Sequence, residues 1–127
     1  MATALVVEDD HTQKLIISKI LKRIGLNVMF AGNEVEAIQL AQNHCPDVVV
    51  LDITTPYMSR YEVYRQLKST EQARQPAVLM YSNKTDSYKW SQGSRLGADA
   101  YLSKLCRPQE LVDTVKQLLL KKPAFQA

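Results

Sequence analysis

Five short apolar runs punctuate the chain: Ala4-Leu5-Val6-Val7, Val28-Met29-Phe30, Val48-Val49-Val50-Leu51, Ala77-Val78-Leu79-Met80-Tyr81 and Ala100-Tyr101-Leu102. The first, third and fourth are unbroken and carry valine, the pattern of strands buried on both faces. Between them, apolar residues recur at helical spacing. One stretch runs from Thr12 to Ile24, with Ile17, Ile20, Leu21 and Ile24 on one stripe and Gly25 as its C-cap. A second opens at Asn33, an N-cap with Glu36 three residues on, and stops before Pro46. Its buried stripe is expected to be Val35, Ile38 and Ala41, with Leu40 at the border. A third spans Tyr61 to Lys68 around Val63, Tyr64 and Leu67. A fourth, polar, spans Ser87 to Leu96 and is closed by Gly97. The fifth starts at Pro108, a favourable first-turn residue, and carries Leu111, Val112, Val115, Leu118 and Leu119.

The resulting order, βαβαβαβαβα, predicts an α/β fold with a parallel sheet, helices on both faces and right-handed crossovers. In such sheets ligands bind beyond the carboxyl ends of the strands. There the chain places Glu8-Asp9-Asp10 after strand one, Asp52 after strand three, Ser82-Asn83 after strand four and Ser103-Lys104 after strand five. Each has a bland reading. An acidic triplet after a strand also reads as a loop plus the N-cap of the next helix, Asp52 as a turn aspartate, and Lys104 as a solvated loop lysine. Together they say more. Glu8, Asp9 and Asp52 at one sheet edge form a cluster of like charge that is costly without a cation. With only hard oxygen ligands and no His or Cys at ligand spacing, the cluster suits Mg²⁺. A lysine and a serine hydroxyl beside it would complete a clamp for phosphoryl transfer, with a carboxylate as nucleophile.

At 127 residues the chain is one ordinary domain, and 46% hydrophobic with 23% charged residues is a soluble globular composition. Its net charge of +3 is too weak and scattered for nucleic acid to be the main partner. No apolar run approaches the length of a membrane helix, and the Met1-Ala2-Thr3 start is unlike a signal peptide. Cys45 and Cys106 follow no CxxC or zinc spacing, which points to a reducing cytoplasm. His11 and His44 read as solvated or turn residues, Trp90 as packing, Met58 as loop and Met80 as core. The Lys121-Lys122 end reads as a solvated tail, with docking of an acidic partner by Lys116 to Lys122 as the alternative.

Val6-Val7-Glu8-Asp9-Asp10, Val49-Val50-Leu51-Asp52, Pro56, Ser82, Gly97-Ala98-Asp99-Ala100-Tyr101 and Lys104 resemble the receiver domain of two-component response regulators, in its stand-alone, CheY-like form. The resemblance covers about Ala4 to Leu120. It implies a flavodoxin-like (βα)₅ fold of strand order 2-1-3-4-5, with residues 1–127 a single receiver domain lacking an output domain. It makes Asp52 the phosphoacceptor for a sensor histidine kinase or phosphotransfer protein. Asp9 would bind Mg²⁺ directly, Glu8 through water, and Asp52 and the Thr54 backbone carbonyl would complete the ligands. Lys104 would pair with the phosphoryl group, Ser82 would close on it, and Tyr101 would turn inward as the switch aromatic. Thr54 and Lys84 fall at positions that tune dephosphorylation. Output would pass through protein contacts on the face of the fourth helix, fifth strand and fifth helix, with no enzymatic activity beyond the chain's own phosphorylation and dephosphorylation.

Two departures bear on this. Thr55-Pro56-Tyr57-Met58-Ser59-Arg60 lacks the glycine usual before the third helix. Leu105 stands where the family carries a proline, usually cis, after the lysine. A cis bond before leucine costs about 2.5–4 kcal/mol. A trans bond is therefore expected, with the loop from Ser103 to Pro108 rerouted and Lys104 displaced from the acids. These changes also motivate an alternative, a degenerate receiver serving as a phosphorylation-independent interaction module. Two other readings fit less well. An aspartyl-phosphate phosphatase needs a second acid that Asp52-Ile53-Thr54 lacks. A flavin carrier needs a phosphate loop where Glu8-Asp9-Asp10 would repel it.

Overall fold

The five apolar runs form β1 (Thr3–Val7), β2 (Asn27–Ala31), β3 (Val48–Asp52), β4 (Ala77–Ser82) and β5 (Ala100–Ser103). All pairings are parallel, in the expected order β2-β1-β3-β4-β5. The computed structural model describes residues 2–52, 65–67, 75–82 and 99–120. Three helices are described in full: α1 (His11–Arg23), α2 (Glu34–His44) and α3 (Pro108–Leu120). Of the segment expected from Tyr61 to Lys68, residues 65–67 are helical, with Leu67 buried. The segment from Ser87 to Leu96, and with it Trp90, lies outside the described residues, as does the Met58 loop.

Strand periodicity divides the core into two layers. Ala4, Val6, Val48, Val50, Ala77, Leu79 and Tyr81 face one way, against Ile17 and Leu21 of α1 and Leu111, Val115, Leu118 and Leu119 of α3. Leu5, Val7, Val49, Leu51, Val78 and Met80 face the other way, against Ala37 and Ala41 of α2 and against Leu67. Burying a side chain of this size contributes about 1.5–3 kcal/mol each. That is why sheet strands apolar on both faces need helices on both.

Local chemistry sets the helix ends. The Asp10 carboxylate accepts the Thr12 N–H at 3.0 Å and caps α1. Beyond the Ile24 C-cap, Gly25 adopts φ +88°, a conformation open to glycine, and its N–H returns to the Lys22 carbonyl at 3.0 Å. Asn33 Oδ1 accepts the Glu36 N–H at 2.8 Å, while Glu36 Oε1 accepts the Gly32 N–H at 2.9 Å. The box at the start of α2 therefore closes one residue earlier than the usual pattern. The stripe expected for α2 holds at Ala41 and Leu40 and is corrected at Val35. Val35 is 66% exposed, and the fully buried residue is Ala37, with Ala41 behind it and Leu40 packed alongside. Positions 35 and 37 lie about 200° apart around a helix. Alanine methyls let α2 lie close on β1 and β2, so the smallest side chains, rather than the most hydrophobic ones, face the sheet.

Two aspartates pin the strand register at the opposite edge from the candidate site. Asp47 Oδ2 accepts the Thr3 N–H at 2.8 Å, and the Asp47 N–H donates to the Thr3 carbonyl at 2.8 Å. Asp99 Oδ2 likewise accepts the Val78 N–H at 2.7 Å, and the Asp99 N–H donates to the Val78 carbonyl at 3.1 Å. These reciprocal pairs tie β1 to β3 and β4 to β5. A register slip of one residue would turn every side chain to the other face.

Candidate functional site

The strand alternation that builds the first core layer carries on past the strand ends, and there it changes chemistry. Ala4-Val6 continues to Glu8, Val48-Val50 to Asp52, and Ala100-Leu102 to Lys104, with Ala77-Leu79 ending in Tyr81. Register places Asp52 beside Tyr81 and Tyr81 beside Leu102. One face of three strands thus delivers two acids and a lysine to the same edge.

They meet. The carboxylate oxygens of Glu8, Asp9 and Asp52 all lie within 4.8 Å of one another. Glu8 and Asp52 are 1% and 2% exposed, whereas Asp9 is exposed at the mouth. Lys104 Nζ stands 3.0 Å from Glu8 Oε2 and 3.2 Å from Asp52 Oδ1. It reaches them across β4, 5.9 Å from the centroid of the Tyr81 ring. The displaced lysine expected from Leu105 is therefore corrected: Lys104 lies in the acid pocket. Two carboxylates in a poorly solvated site attract the ammonium strongly, and the turn that carries it has its own hydrogen bonds. Cys106 N–H donates to the Ser103 carbonyl at 3.0 Å, and Leu105 N–H donates to Ser103 Oγ at 3.0 Å.

The acidic triplet divides its labour. Glu8 Oε1 accepts the Asp10 N–H at 3.2 Å while its other oxygen takes Lys104. Asp9 joins the carboxylate cluster, and Asp10 caps α1, so the bland reading holds for Asp10 alone. Burial above all, then the neighbouring Asp52 carboxylate, holds Glu8 above the ordinary carboxylate range, against the opposing pull of Lys104. Burial likewise pushes the Tyr81 phenol up to about 12, helped by the negative groups around it. Three acids against one buried lysine leave uncompensated negative charge. An all-oxygen donor set of this kind is suited to a hard divalent cation.

Of the other expected site residues, Tyr101 is half-buried against the second core layer. Ser82 ends β4 in register with Ser103, and its hydroxyl lies outside what the structure describes. Thr54, Lys84 and the Pro56 loop also lie outside the described residues. His11 and His44 are exposed at helix ends, and no disulfide joins Cys45 and Cys106. Tyr81 was missed as a site residue. Its place under Lys104 follows from the two-residue alternation of β4, a signal present in the sequence. Among the described residues, no helix is long and apolar enough to cross a membrane.

Comparison with known proteins agrees with this arrangement. The family model described as response regulator receiver domain matches residues 4–116. The chain is 33% identical over 115 residues to the alkaline phosphatase synthesis transcriptional regulatory protein PhoP of Bacillus subtilis, covering 91% of this chain but 47% of that protein. The chain therefore spans about half of that relative's length. It is 31% identical over 121 residues to protein PilH of Pseudomonas aeruginosa, covering 94% of this chain and 98% of PilH. The structure of the chemotaxis response regulator CheY4 of Vibrio cholerae superposes with a TM-score of 0.82 at 28% identity, over 93% of this chain and 98% of CheY4.

Proposed function

This chain belongs to the response regulator receiver domain family of two-component signalling, and from that premise we propose that it is a switch operated by phosphorylation of Asp52. The donor is a sensor histidine kinase or a phosphotransfer protein. The observation that carries the reading is the meeting of three carboxylates within 4.8 Å, with Lys104 Nζ on two of them.

Glu8, Asp9 and Asp52 are the side chains that would hold Mg²⁺, with the Thr54 carbonyl as a further ligand. When bound, the cation supplies charge neutralisation between the acids and the incoming phosphoryl oxygens. A carboxylate oxygen of Asp52 attacks phosphorus. The P–N bond to the donor histidine breaks, its electron pair leaves with the imidazole, and an acyl phosphate remains on Asp52. The Asp52 charge passes to the phosphoryl oxygens, and Lys104, already 3.2 Å from Asp52, pairs with them there. Burial of Asp52 and Lys104 strengthens that pairing by keeping water away. Ser82 then closes on a phosphoryl oxygen, Tyr101 moves further inward, and Thr54 and Lys84 set the rate of hydrolysis.

Output passes to a protein partner through the face of the fourth predicted helix, β5 and α3. The domain works in the cytoplasm, with no catalysis beyond its own phosphorylation and dephosphorylation. Leu105, one ground for a phosphorylation-independent module, leaves Lys104 beside the acids. The test is intact-mass measurement after incubation with acetyl phosphate, with and without Mg²⁺. One labile phosphoryl adduct, dependent on Mg²⁺ and lost in Asp52→Asn, is expected. An unmodified wild type, or equal labelling of Asp52→Asn, contradicts the proposal and favours the interaction module.

A further inference from the structure

We propose that Ser103 is a positioning residue for Lys104, and that it acts through a hydrogen bond available because residue 105 is leucine. Residues Ser103 to Cys106 form a tight turn in which Ser103 accepts twice. Its carbonyl takes the Cys106 N–H at 3.0 Å, and its hydroxyl takes the Leu105 N–H at 3.0 Å. Serine at the first position of a turn, bonded to the amide two residues on, fixes the intervening residue. The intervening residue here is Lys104, whose ammonium must cross Tyr81 to reach Glu8 and Asp52.

Leu105 itself does nothing by packing, since its side chain is 83% exposed. What it contributes is its N–H. A proline at this position has none, so the hydroxyl of Ser103 would lose its donor. Direction comes from both ends of the lysine: its main chain is held by the Ser103 turn and its Nζ by two carboxylates. A long, flexible side chain held only by its charge would keep more of its rotamer freedom. Ser103 touches neither acid and plays no part in the chemistry except by aiming Lys104.

This inference rests on the reading of Lys104 as the phosphoryl partner, and its test reads the position of Lys104 without any phosphorylation. The full chain and its Ser103→Ala and Ser103→Thr variants are labelled with an amine-acetylating reagent, and each lysine is followed by mass spectrometry. Hydrogen exchange at the Val6 and Val50 amides, in the middle of the sheet, reports whether the fold has opened. The expected result is that Lys104 labels about fivefold faster in Ser103→Ala, the change expected from losing one ordinary hydrogen bond. Ser103→Thr should restore the protection, with Val6 and Val50 exchange unchanged in both variants. Unchanged Lys104 labelling, acceleration only together with Val6 and Val50, or failure of threonine to rescue overturns the proposal. None of these results bears on whether Asp52 takes a phosphoryl group, so the two readings fail separately.

Discussion

Lys104 and Glu8, 96 positions apart in the chain, meet at 3.0 Å with both side chains almost wholly out of solvent. The pair closes the sheet edge from β1 to β5 and also neutralises the acid that burial makes most costly. Removing one partner of such a pair strands the other charge, a loss of about 3–5 kcal/mol in buried sites. Lys104→Met should therefore lose about 3 kcal/mol of metal-free stability by urea denaturation. Millimolar Mg²⁺ should stabilise this variant more than the wild type, because the acids then have no other cation. A loss below about 1 kcal/mol, the range of an exposed pair, would mean that the contact carries little.

Asp9 differs from Glu8 and Asp52 in being exposed, and the cap of α1 is Asp10. Asp9→Asn should raise the metal-free melting temperature by about 3 °C, since it removes like charge from the cluster. The same change should weaken Mg²⁺ binding about tenfold, as loss of a charged ligand does. Calorimetric titration beside a thermal melt in chelator measures both. A melting temperature that falls, or an unchanged affinity, would take Asp9 out of the cation site.

The α2 face can be tested by two substitutions. Ala37→Leu places extra volume against a filled layer and should cost about 1–3 kcal/mol, whereas Val35→Thr on the exposed side should stay within about 0.5 kcal/mol. Urea denaturation of the two variants compares them directly. Equal costs would restore the face centred on Val35.

This helix shows where sequence reading stops. The strands were legible because valine runs without polar interruption have few other homes, and their order followed from alternation with helices. The face of α2 was not, because Val35 and Ile38 outweigh Ala37 in hydrophobicity while alanine wins on closeness to the sheet. Glu8, Asp9, Asp52 and Lys104 could be assembled from strand ends alone. The triplet Glu8-Asp9-Asp10, however, does not announce that its last member caps a helix. Lys104 was expected to be displaced because leucine replaces proline, a reading that weighed the cost of the peptide bond and left out the Ser103 hydroxyl. Asp47 and Asp99 each stand one residue before a strand, and only their reciprocal bonds to Thr3 and Val78 show that they set register.

Tyr81 makes stability depend on alkaline pH. In the unfolded chain its phenol ionises near 10.0, and in the fold at about 12, so between those values the unfolded state sheds its proton first. Stability contributed by Tyr81 is therefore full below pH 10.0 and lost as pH rises to about 12. Tyr81→Phe should flatten that part of the pH–stability curve, and tyrosinate absorbance should lose a component that ionises at about 12. A curve of unchanged slope would mean that Tyr81 titrates as an exposed phenol.

The central claim is that Asp52 carries the phosphoryl group, and borohydride trapping tests it most directly. Hydride reduces an acyl phosphate to the alcohol with loss of phosphate, so a phosphorylated aspartate becomes homoserine and can be mapped by mass spectrometry. After acetyl phosphate and Mg²⁺, the account predicts homoserine at position 52 alone, and none when Mg²⁺ is withheld. Homoserine at position 9, or none anywhere in a folded, Mg²⁺-loaded chain, would contradict it.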